Sequence, residues 1–177
     1  SPEMAVALRD ANNFFKEFQL GPGEKRVPIT PSFLEILIPH IPGSSHMKNE
    51  IIAAITHTMM TGTRLGEITA TLKTDTVDTL LTVGHCTVSS NTVEFMVLGK
   101  GTPPVRQMVF AKRTELAPLI DRYGGHWDLM EGTRQRIANR EASAPLFSDD
   151  NGRPLTYQNV YRAITTACRA VGAPDGA

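Results

Sequence analysis

Cysteine is scarce in this chain of 177 residues. Cys86 and Cys168 lie far apart in the sequence, and no C-x-x-C pair occurs. This spacing excludes a disulfide framework and a small zinc module. We expect both cysteines to be buried thiols.

Long apolar runs are missing as well. No stretch approaches the roughly 20 apolar residues that cross a bilayer, and the first residues lack the basic-then-apolar order of a secretory signal. With 41% hydrophobic and 20% charged residues, the chain is long enough for one domain with a sizeable core. We therefore predict a single domain in the cytoplasm, with no membrane partner.

The chain has no net charge, because 18 Lys and Arg balance 18 Asp and Glu. Neutrality argues against nucleic-acid binding, since domains that bind nucleic acids often have a pI above about 9. The charge is unevenly spread, however, with eleven basic against eight acidic residues in 100–177 and seven against ten in 1–99. An acid-free segment holds Lys100, Arg106, Lys112 and Arg113. Such a stripe can follow a phosphate backbone, and a solvated basic face is the alternative.

No pattern indicates a metal or a nucleotide. The histidines lack ligand spacing such as H-E-x-x-H. Gly99-Lys100 does not form a phosphate-binding loop, because Glu94 stands where that loop has its first glycine and Gly101 follows the lysine in place of Ser or Thr. We expect neither a metal nor a cofactor.

Helical periodicity dominates the pattern. An entry helix over 5–18 and a linker occupy 1–29, ahead of the main domain at 30–177. Thr30 followed by Pro31 predicts a helix start, and that helix ends before Pro42. Further helices are predicted over 48–60, 114–123, 128–140 and 156–171, with a loop at 43–47.

Short β-rich runs at 79–83, 92–98 and 105–110 predict a small antiparallel sheet. Gly99-Lys100-Gly101 and Pro103-Pro104 separate the last two runs, which predicts a tight hairpin that carries Lys100. The expected fold class is α+β, mainly helical with a small antiparallel sheet and a lysine-bearing hairpin.

Thr61-Gly62-Thr63 interrupts a helical pattern and puts Arg64 at the start of a second helix with Leu65, Ile68 and Leu72. An arginine beside a glycine turn between two apolar helices is unfavourable unless its charge has a partner. Glu67 lies one helical turn further on and can hold the guanidinium in place. An ordinary Arg–Glu pair at a helix start is the alternative explanation.

Three segments resemble the catalytic domain of the tyrosine recombinases, DNA strand-exchange enzymes of the phage-integrase type. The run T-G-T-R-L-G-E-I from Thr61 to Ile68 is similar to the family's first catalytic box. Leu98-Gly99-Lys100-Gly101, followed by Arg106, resembles the hairpin that bears the family's catalytic lysine. A weaker resemblance covers 144–156, a segment that precedes an H-x-x-R box in the family.

The resemblance implies a site-specific recombinase or integrase that cleaves and rejoins DNA through a 3′-phosphotyrosine intermediate. Arg64 would clamp the phosphate, Glu67 would orient Arg64, and Lys100 would act as general acid toward the departing 5′-oxygen. Complete proteins would assemble as homo-oligomers on double-stranded DNA. We expect the DNA contacts to come from Arg106, Lys112, Arg113 and Arg153.

The sequence also departs from the family pattern. It has no H-x-x-R, and Tyr123, Tyr157 and Tyr161 all precede the place where that box should begin. Pro103-Pro104 stiffens the hairpin, and Arg106 stands one place further from the lysine than in the family pattern. We therefore expect a fragment truncated before the second catalytic box and the nucleophilic tyrosine, inactive by itself.

Two other interpretations stay open. A DNA-binding relative that keeps the fold without catalysis would tolerate replacement of Lys100. An unrelated α+β interaction module would carry the T-G-T-R and G-K-G runs by chance, and it would show no salt-dependent DNA binding.

Overall fold

The computed structural model describes residues 29–70, 79–99 and 103–172. The predicted entry helix over 5–18 and the predicted position of Lys100 at the hairpin tip lie outside these residues. The chain divides into two compact units, and the predicted domain boundary after residue 29 stays a prediction.

The first unit includes residues 29–42 and 161–172 among those described. Helix α1, Pro31–Leu37, begins where Thr30 Oγ1 accepts the backbone N–H of Phe33 at 3.2 Å, so the predicted cap is confirmed. A 3-10 turn, Ile38–His40, follows α1. The buried apolar residues of this unit are Phe33, Leu34, Leu37, Ile41, Ala163, Ile164, Ala167 and Cys168.

The second unit, Gly43–Val160, contains most of the regular structure. Its helices are α2 (Ser45–Thr61), α3 (Leu65–Ile68), α4 (Arg113–Tyr123), α5 (Leu129–Asn139) and the start of α6 (Tyr157–Ala170). The predicted helices over 114–123, 128–140 and 156–171 are confirmed to within a residue at each end. No helix of the described part is both long and apolar enough to cross a membrane.

Helix α2 begins earlier than the sequence pattern predicts. The hydroxyl of Ser44 accepts the backbone N–H of Met47 at 3.1 Å and caps the helix. The same hydroxyl donates to Asp150 Oδ1 at 2.5 Å. The predicted loop at 43–47 is therefore wrong from Ser45 onward, because this serine cap starts the helix three residues before Lys48.

The sheet has three antiparallel strands in the order β1 (Cys86–Val88), β2 (Thr92–Leu98), β3 (Arg106–Lys112). Phe95 in the central strand faces Cys86 on one side and Val109 on the other. The strand over 92–98 is confirmed, and the one predicted at 105–110 runs from Arg106 to Lys112. The α+β fold class, mainly helical with a small antiparallel sheet, is thus confirmed.

The strand predicted at 79–83 is wrong, since the first strand is Cys86–Val88. In place of that strand, Thr82 forms a single bridge to Pro145, and Val83–His85 forms a 3-10 turn. The backbone N–H of Thr82 donates to His85 Nδ1 at 3.0 Å, and the turn at Val83–His85 ends the pairing after this one bridge.

The two faces of the sheet differ in burial. Val93, Phe95 and Val97 of β2 point into the core, where helix α2 contributes Ile51, Ile52, Ala54 and Ile55. The opposite face is largely apolar but exposed: Met96 is paired with Met108, and Phe110, two residues further along β3, is paired with Glu94. These three apolar side chains are between 38% and 55% exposed.

A buried carboxylate in α2 joins that helix to α5. Glu50 is 1% exposed, and its Oε2 accepts from Arg136 Nη2 at 2.8 Å. Its Oε1 accepts from Nη2 of Arg140, the residue that follows α5. Arg140 Nη1 also donates to the carbonyl of Leu146 at 2.6 Å. Because a buried charge is costly unless it is paired, these bonds fix the relative position of α2, α5 and the segment after α5.

Glu50→Gln is expected to lower the free energy of unfolding by roughly 3 kcal/mol, because it leaves two largely buried guanidiniums without their shared carboxylate. The matched control is Glu131→Gln. Glu131 pairs with Arg134 at 3.6 Å with both side chains about half exposed, so its loss should cost less than about 1 kcal/mol. Urea denaturation measures both, and equal losses would contradict the structural role assigned to Glu50.

Candidate functional site

The T-G-T-R segment forms a tight turn at the end of α2. Gly62 follows the last helical residue with φ of +71°, and its N–H donates to the carbonyl of Thr58 at 3.0 Å. Glycine reaches this left-handed conformation without strain. Nothing lies within 4 Å of where a Cβ would be at this position, so the backbone conformation, and not lack of space, favours glycine here.

Two threonines stiffen the turn. The hydroxyl of Thr61 donates to the carbonyl of His57 at 2.7 Å. Thr63 is buried, and its hydroxyl lies 2.9 Å from that of Thr61. Because Thr61 uses its own proton on His57, Thr63 is the donor in this second bond. The main chain before Arg64 is therefore held by side-chain bonds in addition to the helix end.

Arg64 is the N-cap residue of α3, which confirms its predicted position at a helix start. Its backbone N–H donates to Glu67 Oε2 at 2.7 Å, and the Glu67 N–H donates back to the Arg64 carbonyl at 2.9 Å. The Glu67 carboxylate thus binds the main chain of Arg64, where the sequence suggested a bond to the guanidinium. The orienting role of Glu67 stays a prediction. Its carboxylate could serve that role through the backbone N–H of Arg64, to which it is bonded.

The guanidinium of Arg64 is exposed. Among residues 29–70, 79–99 and 103–172, it has neither a hydrogen bond nor an ion pair. A fixed main chain with a free cationic fork is an arrangement suited to binding an anion with two oxygens.

His57 lies one turn before this site and is buried in the core. Its Nδ1 lies 2.6 Å from the carbonyl of Ala53, and the rings of Phe95 and Phe147 meet it edge-on at centroid distances of 5.0 Å. Burial, with a contribution from the nearby charge of Arg136, lowers the pKa of His57 to about 3. Its neutral ring therefore joins α2 to the sheet, a role that sequence reasoning missed because a histidine on an apolar helix face gives no distinctive pattern.

The predicted lysine hairpin has its base in the described structure. Leu98 pairs with Arg106, and the Gly99 N–H donates to the Val105 carbonyl at 3.0 Å. Lys100 itself lies outside the described residues, so its place relative to Arg64 stays a prediction. Helix α3, which Arg64 starts, contacts β2, the strand that leads to Lys100.

Arg106 is engaged within the protein. Its two terminal nitrogens donate at 3.0 Å each to the carbonyls of Met96 and Leu80. The side chain thereby ties the base of the hairpin to the segment before β1. Burial, together with the charge of Arg106, lowers the pKa of His85.

Lys112 and Arg113 lie at the other end of β3. At about 3.3 Å per residue, roughly 20 Å of strand separates Arg106 from Lys112. Arg113 Nε donates to the carbonyl of Ser90 at 2.7 Å, and Lys112 Nζ lies 5.8 Å from the centroid of the Phe110 ring. The basic stripe seen in the sequence is therefore spread along the strand.

Arg153 is exposed in a turn, where its backbone N–H donates to Asp149 Oδ1 at 2.9 Å. The proposed DNA contacts of all four basic residues stay predictions.

The cysteines are poor nucleophiles at neutral pH. Burial raises the pKa of Cys86 to about 12 and also raises the pKa of Cys168, so both stay protonated. Cys168 is buried as expected, whereas Cys86 is partly exposed. The tyrosines Tyr157 and Tyr161 form an exposed pair one turn apart on α6.

Comparison with known proteins gives a structural likeness but no sequence match. No family model and no curated protein matches the chain. A solved structure of the XerH site-specific recombinase bound to its difH substrate, in a pre-cleavage complex, is similar with a TM-score of 0.48 and 18% identity. The match covers 84% of this chain and 38% of that chain. At this identity and TM-score, the likeness assigns no activity to the chain.

The depressed pKa of His57 predicts acid sensitivity. Unfolded histidine has a pKa near 6.5, so below that pH the unfolded chain binds a proton that the folded chain refuses until about pH 3. This contribution is therefore fully present above pH 6.5 and is lost as the pH falls. His57→Gln should remove about 2 kcal/mol of the loss in stability between pH 8 and pH 5. Unfolding curves at the two pH values measure it, with His126→Gln as the control, and identical pH profiles for wild type and His57→Gln would contradict burial of a neutral His57.

Proposed function

We propose that this chain is part of a site-specific DNA recombinase or integrase of the tyrosine type. In the complete protein, a tyrosine hydroxyl attacks a DNA phosphodiester, a 3′-phosphotyrosine forms, and the 5′-oxygen departs. The proposal rests on one observation: Glu67 fixes the main chain of Arg64, while the guanidinium of Arg64 is exposed.

The chemistry asks for a cation like that of Arg64. Phosphoryl transfer develops charge on the non-bridging oxygens, and a donor fixed before the reaction stabilises that charge without reorganisation. The planar fork of arginine binds two such oxygens at once. The left-handed Gly62 and the buried Thr63 hold the backbone that presents it.

Lys100 is proposed as the general acid that gives a proton to the departing 5′-oxygen. Leu98 and Arg106, which stand on either side of it in the sequence, are paired between β2 and β3, and β2 contacts α3; this pairing supports the proposal. General acid catalysis by such a group contributes about 10²–10⁴-fold. The nucleophile is proposed to be a tyrosine outside this sequence, since Tyr123, Tyr157 and Tyr161 do not match the family's position.

Double-stranded DNA is the proposed partner, on which complete protomers assemble as homo-oligomers inside the cell. Lys112, Arg113 and Arg153 are exposed and available to phosphates. Arg106 donates from two terminal nitrogens to backbone carbonyls, so its proposed DNA contact would be made alongside these internal bonds. The chain spans 38% of the recombinase chain that it matches.

A non-catalytic DNA-binding relative is the second candidate function. The absence of H-x-x-R from the sequence favours it. Both candidates bind DNA with a salt-dependent affinity. The non-catalytic relative differs in that it forms no covalent adduct.

Arg64→Ala in the complete protein should lower the rate of covalent protein–DNA adduct formation by at least 10²-fold, because one transition-state donor is lost. DNA affinity should change little. Adduct formation on a nicked DNA substrate, followed by denaturing electrophoresis, measures the rate. Arg122→Ala is the control, since Arg122 is exposed on α4 beside Tyr123.

An unchanged adduct rate in Arg64→Ala would refute the assignment of Arg64. Salt-dependent DNA binding without any adduct in the wild-type protein would favour the non-catalytic relative. If the wild-type protein neither binds DNA nor forms an adduct, the chain is an unrelated α+β interaction module.

Lys100→Ala should slow strand cleavage strongly, within the range expected for a lost general acid. A DNA substrate with sulfur in place of the departing 5′-oxygen tests the role directly, because a thiolate leaves without being protonated. The variant should cleave this substrate at nearly the wild-type rate. A defect of equal size on both substrates would contradict proton donation by Lys100.

A further inference from the structure

A polar cleft of about 240 Å³ lies between α2 and α5. The first half of α2 and the last turns of α5 form its walls. The polar side chains that line it include His46, Asn49, Glu50, Gln135, Arg136 and Arg140. No residue of the proposed recombination site is among them.

The charges of the cleft do not balance. Glu50 gives one oxygen to Arg136 and the other to Arg140, so two guanidiniums share a single negative charge. Arginine stays protonated in proteins. The described lining residues contain no second carboxylate, and the nearby Glu131 pairs with Arg134 instead. One positive charge is left over.

Burial makes this surplus charge matter. The side chains of Arg136 and Arg140 are only 13% and 21% exposed, so water screens them only in part. Arg136 Nε is fully buried and, within the described part of the chain, has no hydrogen-bond partner. Because this Nε is closed to solvent, a ligand in the cleft would meet the terminal nitrogens of the two arginines. Each of these nitrogens already donates once, to Glu50, Gly132 or Leu146, and has a second hydrogen to donate.

Donors are also available at the mouth of the cleft. Asn49 and Gln135 are exposed there. The amide of Asn49 can donate, and that of Gln135 donates to Glu131 Oε1 at 3.4 Å and has a second hydrogen. A ligand that fits must therefore bring negative charge and several acceptor oxygens.

We propose that the cleft between α2 and α5 binds a phosphate-class oxyanion, which neutralises the surplus charge of Arg136 and Arg140. The oxyanion comes either from free inorganic phosphate or from a phosphodiester of DNA. The proposal does not depend on the recombinase function, because free phosphate suffices to test it.

The test is a titration of the whole chain with sodium phosphate at pH 7, against sodium chloride at matched ionic strength. NMR signals of the Arg136 Nε–H and of the Asn49 and Gln135 side-chain amides should shift saturably with phosphate. A parallel titration with a short DNA duplex shows whether DNA moves the same signals.

Asn49→Asp puts a negative charge at the cleft mouth in an isosteric side chain. It lies near the N-terminal end of α2, where an acidic residue does not harm the helix. The variant should weaken phosphate binding roughly tenfold through like-charge repulsion. Asn151→Asp, the same change in the exposed turn at Asp149–Gly152, is the matched control and should bind like the wild type.

Saturable shifts with phosphate that are weakened only by Asn49→Asp support the proposal with free phosphate as the source. Shifts with the duplex alone support it with DNA as the source. If neither ligand moves these signals, or if phosphate acts without saturation and equally on both variants, the proposal is overturned. The last pattern would be a general effect of the salt and not a bound ion.

Discussion

The second unit depends on one buried carboxylate. Glu50 binds an arginine of α5 and the arginine that follows that helix, and the latter also reaches the carbonyl of Leu146. Helix α2 is thereby fixed near its start by charge, and near its end by the neutral ring of His57 between two phenylalanines. The turn that presents Arg64 follows directly from this helix end. The position of the candidate site is therefore set by contacts deep in the core, well away from the arginine itself.

Much of the local structure was predictable because its causes are local. Thr30 with Pro31, and Gly62 at the end of an apolar helix, act on their immediate neighbours, and both predictions hold. The strand expected at 79–83 failed for the opposite reason. Its β-branched residues favour a strand, but the extended pairing is limited to a single bridge between Thr82 and Pro145, and the chain turns at Val83–His85 directly afterwards. A partner more than sixty residues away cannot be seen from a short pattern.

The candidate site was predicted in part for the same reason. Arg64 and Glu67 are three residues apart, so the sequence indicated their contact, although not that it runs through the backbone N–H of Arg64. The side-chain bonds of Arg106 to the carbonyls of Met96 and Leu80 depend on strand register and on tertiary packing. The role of His57 needs Phe95 and Phe147, which lie on separate elements. Charge counts along the chain predicted a basic stripe, but an extended strand separates Arg106 from Lys112 by roughly 20 Å.

The arrangement around Glu50 also constrains how such a sequence can drift. A buried ionic cluster can often be replaced by well-packed apolar residues without loss, provided that all members change together. A single substitution is different, since it leaves a buried charged side chain without its partner. Three codons would have to change in concert, and the intermediates would fold poorly. Glu50, Arg136 and Arg140 should therefore be inherited as a set, so that in related chains the loss of one is accompanied by the loss of the others.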